Sequence, residues 1–134
     1  MPKIIRDRSK PGAGFPKSAR LLRHSEFEHV YKNGRRHFSS SMTVFYLVKP
    51  QSEVQAGVRV GFTVGRVLGG SVARSRIKRR LREAVRRSLG GLHTQLAEKG
   101  LSAEIVINPK KAALTVEASK LEAEVQRAFT VVAG

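Results

Sequence analysis

Between the glycine pairs at 69–70 and 90–91, the apolar residues Ala73, Ile77, Leu81, Ala84, Val85 and Leu89 recur three and four positions apart, with Ser88 in the same stripe. Only a helix gathers such positions on one face, and a helix with one apolar stripe must pack against another element. Gly90 and Gly91 are predicted to end it. The segment before it, GVRVGFTV, alternates Val58, Val60, Phe62 and Val64 with Gly57, Arg59, Gly61 and Thr63, the period of a half-buried strand. The segment after it, SAEIVIN, reads as another strand stopped by Pro109, with Lys110 and Lys111 in the loop beyond.

The remaining elements follow from weaker signals. Residues 38–48, FSSSMTVFYLV, are rich in β-branched and aromatic types and are predicted as one strand, on which Tyr46 lies with Met42 and Val44. In SEFEHVYKNG, Ser25 with Glu28 three residues later offers a helix start and Gly34 a stop, placing Phe27, Val30 and Tyr31 on a shared face. Thr115 is a candidate cap for a last helix, in which Leu121, Val125, Ala128, Phe129 and Val132 repeat at helical spacing. Glu117, Lys120, Glu122 and Glu124 are assigned to its exposed side. That makes three strands and three helices.

Charge narrows the range of partners. The 134 residues carry a net charge of +16, and the excess is uneven: about +5 over 1–20, +3 over 21–65, +8 over 66–87 and zero over 88–134. A focused excess of this size calls for a polyanion. No apolar run approaches the roughly 20 residues that span a bilayer, so nucleic acid is the expected partner rather than a membrane. The opening residues lack the apolar core of a secretory signal, the chain has no cysteine, and the cytoplasm is the expected compartment. Residues 1–16 read as a flexible basic arm, one that orders on RNA or simply a tail, and 17–134 as a single RNA-binding domain.

Within the central helix, positions 74–87 hold eight cations against one acid, Glu83. Lys78, Arg79, Arg82 and Arg86 cluster opposite Ile77 and Leu81, while Arg76, Arg80 and Arg87 flank the apolar face. Like charges four residues apart repel, a penalty that phosphates would remove. Seven of the eight are arginines, which fork onto phosphate oxygens and stack on unpaired bases; this favours structured RNA and leaves no DNA partner expected. The bland alternative is a solvated surface helix. Phe27, Tyr31 and Tyr46 are either core residues or a stacking platform for single-stranded nucleotides. The turn at 69–71 leads into a helix and could cradle a phosphate, but it lacks the full glycine pattern of a dinucleotide site.

Catalytic groups are conspicuously few. The only aspartate is Asp7, in the basic arm, and His24, His29, His37 and His93 lack metal-ligand spacing. No catalytic residue and no metal site are expected in the protein itself.

Taken together, LLRHSEFEHVYKNGRR, RVGFTV and above all ARSRIKRRLREAVRR resemble the protein component of bacterial ribonuclease P over roughly 15–132. That resemblance implies an α/β sandwich, in the broad sense an α+β fold. Its mixed sheet of about four strands packs with three helices, and the basic helix lies in a parallel βαβ crossover of unusual left hand. It further implies that the partners are the catalytic RNA of ribonuclease P and the 5′ leader of precursor tRNA. In such an enzyme the RNA cuts the leader with magnesium ions that the RNA itself holds, and the protein binds no cofactor alone. Arg74, Ser75, Arg76, Lys78, Arg79, Arg82 and Arg86 would meet the catalytic RNA. Phe27, Tyr31 and Tyr46 would line the leader cleft, with Thr63, Arg66 and Lys110 at its edge. The chain departs from the usual family pattern at Ser75, Arg66–Val67, Gly70 and Asn108–Pro109, where Lys110 supplies a nearby cation. A ribosomal or general RNA-binding protein is the alternative, and a self-sufficient nuclease a third.

Overall fold

The computed structural model describes residues 19–21, 23–51 and 57–134. The basic arm expected over 1–16 lies outside the described residues. In chain order the elements are α1 His24–Asn33, β1 Arg35–Phe38, β2 Met42–Pro50, β3 Val58–Phe62, α2 Ser71–Glu98, β4 Leu101–Pro109 and α3 Ala118–Ala133. Short 3₁₀ turns at Arg66–Leu68 and Lys111–Leu114 precede α2 and α3.

The four strands form one mixed sheet in the order β1-β2-β4-β3, with β4 antiparallel to β2 and parallel to β3. Parallel neighbours need a crossover, and α2 supplies it. Central β4 is buried from Ser102 through Ile107, and the one charge inside it, Glu104, is paired with Arg59 and Lys49. On one face, Met42, Val44, Val58, Val60, Ile105 and Ile107 pack against Ile77, Leu81 and Val85 of α2 and Leu121, Val125 and Phe129 of α3. On the other, Val106 packs with Val30 of α1 and Leu21, flanked by Phe27 and Phe45.

Several elements differ from the sequence reading. The strand expected over 38–48 is two strands joined at Ser39, whose backbone N–H and Oγ both donate to the Met42 carbonyl. The fourth strand, β1, is the polar run RRHF on the sheet edge, and this is why apolar periodicity did not reveal it. Helix α1 starts earlier than Ser25: Arg23 is the cap, and its N–H donates to Glu26. Gly34 does close it, donating to the Val30 carbonyl.

The largest difference is in α2, which runs through Gly90 and Gly91 to Glu98. Each glycine costs about 1 kcal/mol of helix propensity. Continuing the helix buries Leu92 and Leu96 on the same stripe as Val85, a gain of roughly 1.5–3 kcal/mol per side chain, so burial wins. Thr115 caps nothing in α3; it ends the preceding 3₁₀ turn, and Glu117 stands at the helix start. Glu124 is buried, not exposed: its carboxylate accepts from Ser41 N–H at 2.8 Å and Ser41 Oγ at 2.7 Å. It thereby ties α3 to the turn between β1 and β2.

Candidate nucleic-acid interface

The outward face of α2 is cationic because its inward face is consumed by the core. Lys78, Arg79 and Arg82 are exposed, as are Ser75 and Arg76 one turn earlier, and among the described residues no acidic group pairs with Lys78, Arg79 or Arg82. Partial burial and the charge of Arg20 lower the pKa of Arg82, the direction expected where cations crowd. A groove of about 570 Å³ lies between this face and α3, lined by Arg79, Arg82, Arg86 and Leu121 and by the acids Glu83 and Glu122. Arg74 is half-buried, and its Nε is shielded from solvent without a hydrogen-bond partner.

The other arginines are occupied. Arg86 forks onto Glu83 through Nη2 at 2.6 Å and Nε at 3.2 Å, and this lowers the Glu83 pKa. Arg87 reaches both Glu83 and Glu122. Arg80 points into the protein and donates to the carbonyls of Ala113 and Val116, so it anchors the turn before α3.

A second surface lies across the sheet. Helix α1 lies over β2 and β4 and its side chains reach β3 and the residue after it: Glu26 pairs with Arg59, the Phe27 ring covers Gly61, and Tyr31 Oη lies 2.6 Å from Thr63 Oγ1. A Cβ at position 61 would collide with the Phe27 ring, so glycine there is what lets the aromatic lie on the strand. Tyr31 also donates to Asn108 Oδ1 at 3.0 Å, and its ring meets Phe45 edge-on with centroids 4.8 Å apart. Tyr31 and Phe45 thus stand beside the polar side chains of Thr63 and Asn108 on this face of the sheet, the place at which a leader cleft is expected.

Tyr46 does not join this cleft. Cross-strand partners share a face, and Tyr46 pairs with Ile105 while Phe45 pairs with Val106, so the two aromatics point to opposite sides of the sheet. Tyr46 packs on the α2–α3 core. Sequence reasoning overlooked Phe45, although strand alternation carries the signal: Tyr46 shares its parity with the core residues Met42 and Val44, which leaves Phe45 facing the other way. At the margins, Lys110 donates from Nζ to the Ser39 carbonyl at 2.8 Å, and Arg66 is exposed at the start of its 3₁₀ turn. Among the described residues, no group of three histidine or acidic side chains could hold a metal ion, and no helix is long and apolar enough to cross a membrane.

The Ribonuclease P family profile matches residues 15–133. The chain belongs to the ribonuclease P protein family. Solved structures of that family share its fold. A Staphylococcus aureus RNase P protein mutant with defective mRNA degradation activity superposes with a TM-score of 0.67 at 20% identity, covering 87% of this chain and 89% of the other. The Thermotoga maritima RNase P protein gives a TM-score of 0.66 at 21% identity, covering 86% and 98%. No match was found among curated protein sequences. Membership in the ribonuclease P family makes the chain part of a ribonuclease P holoenzyme, and the four-stranded mixed sheet with three helices is the architecture expected of it.

Proposed function

We propose that this subunit holds two RNAs at once, the catalytic RNA on α2 and the single-stranded 5′ leader of precursor tRNA in the α1 cleft, and so promotes removal of the leader. The observation that carries this reading is the arrangement of two unlike surfaces on opposite sides of one sheet. The α2 face offers guanidinium and ammonium groups suited to phosphates. The α1 cleft offers aromatic rings and hydrogen-bonding edges suited to unpaired bases.

In this reading Arg74, Ser75, Arg76, Lys78, Arg79 and Arg82 face the catalytic RNA, and Arg86 joins them by exchanging Glu83 for phosphate. Phe27, Tyr31 and Phe45 line the leader path, with Thr63, Asn108, Arg66 and Lys110 along its edges. The chemistry of cleavage would reside in the RNA subunit with the magnesium it would bind, and the protein contributes affinity and alignment. Precursor tRNA cleavage at low magnesium, compared for RNA alone, protein alone and both together, tests this. Activity is expected only, or far more strongly, with both; cleavage by the protein alone, or no help from it, would overturn the reading. Tyr31→Ala should weaken binding of leader-bearing substrate by roughly 1–3 kcal/mol and leave mature tRNA unaffected if a base stacks there.

A further inference from the structure

Phe38 is an expensive residue to leave where it is. It sits on the edge strand β1 with 64% of its surface in solvent, and the Arg36 guanidinium lies 5.7 Å from its ring centroid. Edge strands are usually kept charged or polar because an exposed apolar edge invites pairing with other chains. An aromatic ring held there under a cation has no role in the core, since Phe38 belongs to neither buried cluster.

Strand register says which side it faces. Phe38 pairs with Thr43 and Arg36 with Phe45, so both point to the sheet face that carries α1. Thr43 in turn pairs with Asn108, the residue bonded to Tyr31. Asn108, Thr43 and Phe38 therefore form one row across β4, β2 and β1, and two strand spacings put Phe38 about 10 Å from Asn108. Lys110, anchored on the carbonyl of Ser39, sets a cation at the same corner. The row leads from the Tyr31–Asn108 contact to the rim of the sheet.

We propose that Phe38 and Arg36 form a further nucleotide subsite, which stacks an unpaired RNA base that has passed Tyr31 and Asn108. The inference rests on the leader reading given above. Arg36 and Lys110 supply phosphate contacts, and the ring supplies a sequence-tolerant stacking surface, the pairing of features that single-strand binders use. The ligand is the distal part of a single-stranded leader, long enough to reach β1.

The test measures affinity of the reconstituted holoenzyme for precursor tRNAs whose leaders are lengthened one nucleotide at a time. With the unsubstituted protein, affinity should rise with length and gain a late increment. Phe38→Ala should abolish that increment, a roughly five- to hundredfold loss on long leaders, with short-leader substrates held as before. Phe38→Trp should retain it, and Arg36→Ala should reduce it. A late increment that survives Phe38→Ala overturns the subsite while leaving the leader reading intact. Equal loss at every length, mature tRNA included, also overturns it, because it would place Phe38 against the catalytic RNA or in folding. If affinity ignores leader length in the unsubstituted protein and Tyr31→Ala is silent, the leader reading falls and the subsite with it.

Discussion

Arg79 and Arg80 are adjacent cations on α2, yet a turn of about 100° per residue sends one to solvent and the other into the protein. Arg80 donates to two backbone carbonyls before α3. Hydrogen bonds to a charged group contribute about 1.5–3 kcal/mol, so Arg80→Ala should lower stability by about that amount in a denaturant titration. Arg79→Ala should leave the unfolding midpoint in place and weaken RNA binding. A stable Arg80→Ala protein would show that the turn before α3 holds without it. Glu124 acts at the same scale. Burial alone would raise its carboxyl pKa, but hydrogen bonds from Ser39 and Ser41 and the charge of Arg127 outweigh burial and hold it below the ordinary value. Its folded pKa is depressed, so its stabilising contribution is complete above the unfolded value of about 4.3 and is lost as pH falls through the folded value. Thermal melts from neutral to acid pH should therefore fall more steeply for the native chain than for Glu124→Gln. Parallel curves would mean that the carboxylate charge contributes nothing.

At the scale of elements, α2 is the helix that most resists simple reading, because its polar face, glycine pair and apolar stripe point to different boundaries. A Cβ built at Gly90 or Gly91 meets nothing within 4 Å, and both positions are exposed. Each Gly→Ala change should therefore stabilise the protein by about 0.5–1 kcal/mol, as read from the shift in denaturation midpoint. Leu92→Ala, in contrast, should cost roughly 2–5 kcal/mol, because it empties a site that is 2% exposed. If the alanine variants proved destabilising, the glycines would be needed for a bend or a close approach that the present geometry lacks. Helix α1 depends on its neighbours in a different way: the Phe27 ring lies against β3 only because Gly61 leaves room for it.

For the whole molecule, the placement of two helices on one face of the sheet and one on the other separates the cationic surface from the aromatic cleft. The two should thus respond differently to salt. Replacing both Arg79 and Arg82 by alanine should reduce the slope of log affinity against log salt by about 0.7–0.9 for each phosphate no longer neutralised. Phe45→Ala should lower affinity for leader-bearing substrate with the slope nearly unchanged, since stacking releases no counterions. An unaltered slope in the double arginine variant would remove α2 as the phosphate-binding face.

Periodicity and charge were enough to reveal the amphipathic α2, the strands on either side of it, the apolar face of α3 and the focus of positive charge, because each is a local pattern in which neighbouring residues carry the signal. The family resemblance was legible for the same reason, in one contiguous arginine-rich stretch. What depends on the meeting of distant residues was not. Only packing decided that α2 passes through two glycines, that Arg80 is a structural anchor, that Glu124 reaches the turn at Ser41, and that the polar run 35–38 pairs as a strand. The cleft shows the boundary most plainly: strand alternation could separate Phe45 from Tyr46, but which face receives α1 is set by the fit of Val30 to Val106 and of Phe27 to Gly61, across segments far apart in the chain.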